Sequence, residues 1–273
     1  MRTAWLAGEV LLEAGVERAS RSQQGRDLLA RARARLAALL EGGRLAPRER
    51  ADAGDVLGRL GDPRRGVARL PGDAARPDFL WVEIPAGPFL MGSRKGERDA
   101  FSNEHPQHRV DVPYRYWMSR YPVTVAQYAC FVEAGGYESP DWWTAVGWAW
   151  RRGEWDSQVE EKWLRDYLGR RSVELRGAPM EWGEQQENPN RPVMNVSWFE
   201  ATAYCRWVTG QEDIGNSSPR SAAEGDCIHR GASAPARGYI ECTPTHWGGA
   251  QPNCVAARSE RARAQIHREK SAD

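Results

Sequence analysis

The chain has 273 residues, enough for one sizeable domain and a smaller companion segment. Its formal net charge of +1 gives no global field for nucleic acid or an anionic membrane surface, and no apolar run is long enough to span a bilayer. Five cysteines, an odd number without close pairs, fit reduced thiols better than a disulfide framework, which makes the expected location cytoplasmic.

Residues 1–62 read as a separate helical segment. Leu6 and Val10 to Leu12 are interrupted by Glu9 and Glu13, a helix pattern and not a signal-peptide core. Leu28, Ala32, Leu36 and Leu39-Leu40 recur at three-to-four spacing, with Arg26, Arg31, Arg33 and Arg35 elsewhere on the cylinder. Gly42-Gly43 ends that helix. Pro47 suits a first helical position, where a missing N–H costs nothing, and Val56, Leu57 and Leu60 form the next stripe. So few short helices bury little alone. They predict either a HEAT-like pair packed on a neighbour or a simple helical cap. Gly61 to Asp78, rich in Gly, Pro, Arg and Asp, reads as a linker, with 63–78 as its span.

Phe79 to Ser93 then reads as a β-hairpin. Trp81 to Ile84 alternate, Pro85-Ala86-Gly87-Pro88 supplies a turn, and Phe89 to Met91 return. A polar loop leads to a strand at Val110 and Val112, and Tyr114 to Met118 starts another extended piece. Thr124 is a predicted N-cap with Gln127 as its capping-box partner, before a helix whose stripe is Tyr128, Phe131 and Val132. Gly135-Gly136 closes it. Further on, Ser197 and Glu200 form a second predicted capping box, on a helix starting at Trp198 whose packed face is Ala201, Tyr204, Cys205 and Val208. Eleven of the 13 tryptophans lie between Trp81 and Trp207, so this segment builds its core and loops from large aromatics.

The wording of these segments is more specific than their physics requires. Ile84-Pro85-Ala86-Gly87, Phe89 and Met91-Gly92 are similar to the opening of the formylglycine-generating enzyme, or sulfatase-modifying factor, family. Glu104, Pro106, His108 and Val110 match its next motif, and Tyr121 to Thr124 with Gln127, Tyr128 and Phe131 the one after. Gly136-Tyr137, Trp142-Trp143 and the run Arg191 to Trp207 continue the resemblance, which covers about 79–208. It implies an α+β fold, with an incomplete C-type-lectin-like domain at 79–210. After Thr209-Gly210-Gln211 the resemblance stops. No leucine follows Leu175, and 211–273 has too few large apolar side chains to offset chain entropy. The expectation there is a poorly ordered tail, from a shifted reading frame or a truncated gene.

Active members of the resembled family oxidise a sulfatase cysteine to formylglycine, using oxygen and a thiolate pair that binds copper(I), a soft metal suited to sulfur. Cys242 and Cys254 are the candidates here, Cys254 lying after Trp247 to Ala250 in a faint echo of the family wording. The family's calcium-binding loops have no counterpart. Among Cys227, His229, Cys242, His246 and Cys254 only Cys242 and His246 have a gap that fits a zinc pair, and Pro106 forbids a helix that would bring His105 and His108 together. No metal ligand is therefore assigned. Cys130 and Cys205 read as small core residues. Trp142, Trp143, Trp148 and Trp150, near Trp155, Trp163, Arg151, Arg152 and Lys162, either stack a ligand or cover the domain's own core.

Three readings follow. The first is a non-catalytic module binding a protein or peptide. The second is a copper- and oxygen-dependent oxidase of a sulfatase-type cysteine, the third a gene remnant. Acids match the basic residues throughout, so neither nucleic acid nor membrane is an expected partner.

Overall fold

The computed structural model describes residues 2–43, 45–154 and 171–212. Two compact units divide them: residues 2–80 with 119–154 and 171–212, and Trp81–Met118. The fold is α+β, with helices in the first unit and short two-stranded sheets in both.

The first unit opens with α1 (Arg2–Ala14), α2 (Val16–Ser20), α3 (Gln23–Glu41) and α4 (Pro47–Leu60). Ser22 caps α3 by accepting from the Gly25 N–H at 3.0 Å, and Pro47 stands at the start of α4. The buried stripe of α3 is Gly25, Leu29, Ala32, Leu36 and Ala37, while Leu28 is 43% exposed. Ala32 and Leu36 are thus buried as expected, and Leu29 takes the place of Leu28 at the start of the expected stripe. The buried face meets Ala53, Val56, Leu57 and Leu60 of α4, with Trp5, Leu11, Leu12 and Val16 packed beside them. Burying each large aliphatic side chain stabilises this cluster by roughly 1.5–3 kcal/mol. Gly8 lets α1 approach, since a Cβ there would stand 2.7 Å from a Val56 methyl.

The stretch expected to be a linker is folded. β1 (Arg69–Leu70) and β2 (Asp73–Pro77) pair antiparallel, and Arg69 forms an ion pair with Glu133 of α5 (Val125–Glu133). Asp78, 3% exposed, accepts from Arg65 Nε at 2.7 Å and Nη2 at 2.8 Å, and from the Gly66 N–H at 2.9 Å.

The expected hairpin is replaced by a different pairing. In the second unit β3 (Trp81–Ile84) pairs with β6 (Tyr116–Ser119), and β4 (Gly87–Met91) pairs with β5 (His108–Val112). Phe89 stands opposite Val110, and Met91 opposite His108. Pro85 and Pro88 remove two N–H donors where a β3–β4 ladder would have to start, so each strand takes its partner from the later, proline-free segment. This unit buries little: Phe89, Leu90, Met91 and Phe101 are each more than two-fifths exposed.

Back in the first unit, Thr124 caps α5. Its Oγ accepts from the Gln127 N–H at 3.3 Å, and Gln127 Oε1 accepts from the Thr124 N–H at 2.9 Å. Both expected partners of this capping box are thus engaged. Val132 is only half-buried, whereas Tyr128 and Phe131 are fully inside. The segment before α8 (Trp198–Glu212, after α6, Ala145–Arg151, and α7, Trp182–Gln186) is stitched to the start of α5. The Val125 N–H donates to Arg191 O at 2.9 Å, and the Val193 N–H donates to Val123 O at 2.9 Å. Asn190 Nδ2 reaches back to Gly54 O and to Asp62, both at 2.9 Å.

Candidate functional site

The centre of the first unit is an aromatic cluster with an ionic core. Tyr128 stacks on Tyr204 at 4.9 Å, and Phe131 contacts Tyr137, Tyr204 and Trp207 edge-on or tilted. Ser197 and Glu200 make the second expected capping box. The Glu200 N–H donates to Ser197 Oγ at 3.3 Å, and the Ser197 N–H donates to Glu200 Oε2 at 2.7 Å. The same carboxylate, fully buried, accepts from the Tyr137 hydroxyl at 2.6 Å and from Arg171 twice at 2.7 Å. Burial pushes the Tyr128, Tyr137 and Tyr204 phenols well above their ordinary range. Arg171, whose charge burial alone would disfavour, is held protonated by Glu200. Sequence reading found the cap, but not Arg171 or the second role of Glu200.

The tryptophan segment is placed by local caps. Thr144 Oγ accepts from the Gly147 N–H at 2.9 Å and starts α6, which points Trp150 inward. Trp143 Nε1 donates to Gly136 O at 2.9 Å. Trp143 and Trp150, 4% and 8% exposed, stack at 6.4 Å, and Trp150 carries the Arg171 and Arg176 guanidinium groups at 5.4 and 4.9 Å. These two rings belong to the core. Trp142 and Trp148 are half-buried and keep open ring surface. Trp142 lies against Gly210, where a Cβ would sit 3.0 Å from the indole, and Arg152 stands 5.9 Å over Trp148.

Cys242 and Cys254 lie outside the described residues, as do Cys227, His229, His246, Trp155, Lys162 and Trp163. The two described thiols, Cys130 and Cys205, are buried in helix faces, and burial raises the Cys130 thiol to about 11. His105 Nδ1 lies 2.9 Å from Ser93 O and His108 Nδ1 lies 3.0 Å from Pro106 O, both local backbone contacts. Among the described residues no three His, Cys, Asp or Glu side chains converge as a metal-binding group, and no helix is long and apolar enough to cross a membrane.

Capped helices around an aromatic core, together with short antiparallel strands, make an α+β fold. A profile of the sulfatase-modifying factor enzyme 1-like domain matches residues 68–212, more than half of the chain, and the chain belongs to that family. The matched span starts ahead of β1, which agrees with the folded state of the β1–β2 stretch. The chain is 32% identical over 192 residues to hercynine oxygenase of Mycolicibacterium smegmatis, an alignment covering 69% of this chain and 40% of the relative. It is 33% identical over 204 residues to the protein of the same name from Mycolicibacterium thermoresistibile, covering 73% and 40%. With the formylglycine-generating enzyme of Streptomyces coelicolor it shares 32% identity over 178 residues, covering 54% and 48%. The chain thus spans less than half the length of each of these relatives.

Proposed function

We propose that this chain is a binding member of the sulfatase-modifying factor family, holding a protein or peptide segment against the Trp142 and Trp148 face. The observation that carries this reading is the division among the rings. Trp143 and Trp150 are enclosed, whereas Trp142 and Trp148 keep aromatic area open beside Arg152. Amphipathic rings beside a cation suit peptide side chains. In this proposal the scaffold is C-type-lectin-like, α3 with α4 is a HEAT-like pair, and the protein works in the cytoplasm.

A second reading has support from the relatives, whose names are hercynine oxygenase and formylglycine-generating enzyme. Under it the chain performs oxygen-dependent chemistry, with Cys242 and Cys254 as the thiols and copper as the soft metal they would hold.

One experiment separates the two. The 273-residue protein is mixed with copper(I), oxygen and a labelled Cys-x-Pro-x-Arg peptide, and both peptide anisotropy and aldehyde are followed. Binding without aldehyde, weakened in Trp142→Ala and Trp148→Ala, supports the binding reading. Aldehyde that disappears in Cys242→Ser or Cys254→Ser replaces it with the oxidase.

A further inference from the structure

We propose that a cleft between α3 and the segment after β6 binds the oxyanionic head group, carboxylate or phosphate, of a small organic molecule. The site is separate from the tryptophan face and does not depend on it. The cavity measures about 620 Å³ and is lined by Leu40, Glu41, Arg64, Arg65, Leu80, Arg120 and Tyr121.

Two of its three guanidinium groups are held in place from behind. Asp62, its side chain 2% exposed, accepts from Arg64 Nε at 3.0 and 3.2 Å, from Nη2 at 2.6 Å and from the Arg64 N–H at 3.0 Å. Asp78 grips Arg65 through the same edge. Neither aspartate lines the cavity. Among the described residues, Nη1 of Arg64 and Nη1 of Arg65 have no hydrogen-bond acceptor. The Arg120 side chain has none either, nor does the Tyr121 hydroxyl. Arg120 is positioned by its backbone, its N–H donating to Leu80 O at 2.9 Å. The Arg64 and Arg120 guanidinium carbons lie 5.9 and 5.8 Å from the centroid of the Tyr121 ring. Two cations thus share one aromatic ring, and only Arg64 has an acid partner. A planar or tetrahedral oxyanion at that spot would relieve their repulsion and take up the unused donors in charge-assisted bonds. Leu40, Leu80 and the Tyr121 ring offer apolar surface for the body of the ligand. Glu41 is exposed and is the one acid among the lining residues, so it opposes an anion and limits affinity.

The test uses the 273-residue protein with benzoate and phenyl phosphate as probes and benzyl alcohol as the uncharged control, read by titration calorimetry at low salt. Saturable binding of one or both acids, with none of the alcohol, is expected, and the tighter of the two names the head group. Arg120→Gln removes an exposed cation whose described side-chain contact is the Tyr121 ring, and should weaken binding about tenfold. Glu41→Gln should strengthen it several-fold. Because the two variants move affinity in opposite directions, loss of folding cannot imitate the result. Absence of binding to both acids, or equal affinity in wild type, Arg120→Gln and Glu41→Gln, overturns the proposal.

Discussion

Tyr137 and Glu200, 63 residues apart, meet at 2.6 Å with the phenol as donor, so the acid that caps α8 also anchors the loop after α5. Arg171 completes the arrangement with a two-armed grip on the same carboxylate, the pair being 7% and 0% exposed. Breaking such a pair from one side leaves a buried charge without its counterion. Glu200→Gln should therefore destabilise the protein by about 3 kcal/mol in urea denaturation. Adding Arg171→Met should recover part of that loss, because no charge then stays buried. A single variant within ~0.5 kcal/mol of wild type would show that the network does not hold the domain together.

Gln127 predicts a comparable effect without any charge. Fully buried, its amide accepts from the Thr124 N–H and donates to Gly66 O at 3.1 Å and to Asp78 O. It therefore ties the start of α5 to the stretch around β1 and β2. Gln127→Leu fits the volume but strands three backbone groups, at a cost of about 3 kcal/mol. Hydrogen exchange at the Thr124 amide should quicken in the same variant. Unchanged protection there would mean that the amide contacts are incidental.

Those two sites show which parts of the fold were legible. Thr124 with Gln127, and Ser197 with Glu200, are local signals three residues apart, and both caps form as their spacing implies. Strand pairing is not local. Trp81 to Ile84 read as a hairpin arm because its sequence partner was near, whereas the ladder it joins is β6. Asp73 to Pro77 carries almost no strand propensity; β2 exists because β1 and α5 lie against it, through contacts such as Arg69 with Glu133 and the Cys130 thiol with Ala74 O. On α3 the expected Ala32 and Leu36 are buried and Leu40 packs beside them, while Leu29 takes the place of Leu28, a choice between adjacent leucines that only the position of α4 decides. Nothing in the spacing of Arg64, Arg65 and Arg120 tells that they line one cavity.

Acid sensitivity should centre on Asp62. Burial, the largest single influence, pushes its carboxyl up, but the hydrogen bonds from Arg64, from Asn190 and from the Arg64 N–H together outweigh it, and the net shift is downward. A group depressed in the folded state adds stability above its unfolded pKa of about 3.9, and this is lost as pH falls through the lower folded value. Urea midpoints should therefore decline for wild type as pH drops below about 4. Asp62→Asn should start lower at pH 7 and decline less, with the two curves converging at the acid end. Parallel curves would assign the acid transition to other carboxylates.

Cys130 supplies a kinetic prediction. Burial is the main cause of its high pKa, and neighbouring Arg69 only partly offsets it, leaving the thiol near 11. At pH 8 only about one molecule in a thousand then carries the reactive thiolate, and the side chain is 1% exposed besides. Alkylation of the folded protein by iodoacetamide, followed by digestion and mass spectrometry, should leave the Cys130 peptide unmodified while urea-unfolded protein reacts fully. Raising the pH to 9 in the folded state should change little, because the enclosing helix face, and not ionisation alone, sets the rate. Labelling of folded Cys130 at the rate of a free cysteine would place this thiol at an accessible surface and overturn its reading as an enclosed core residue.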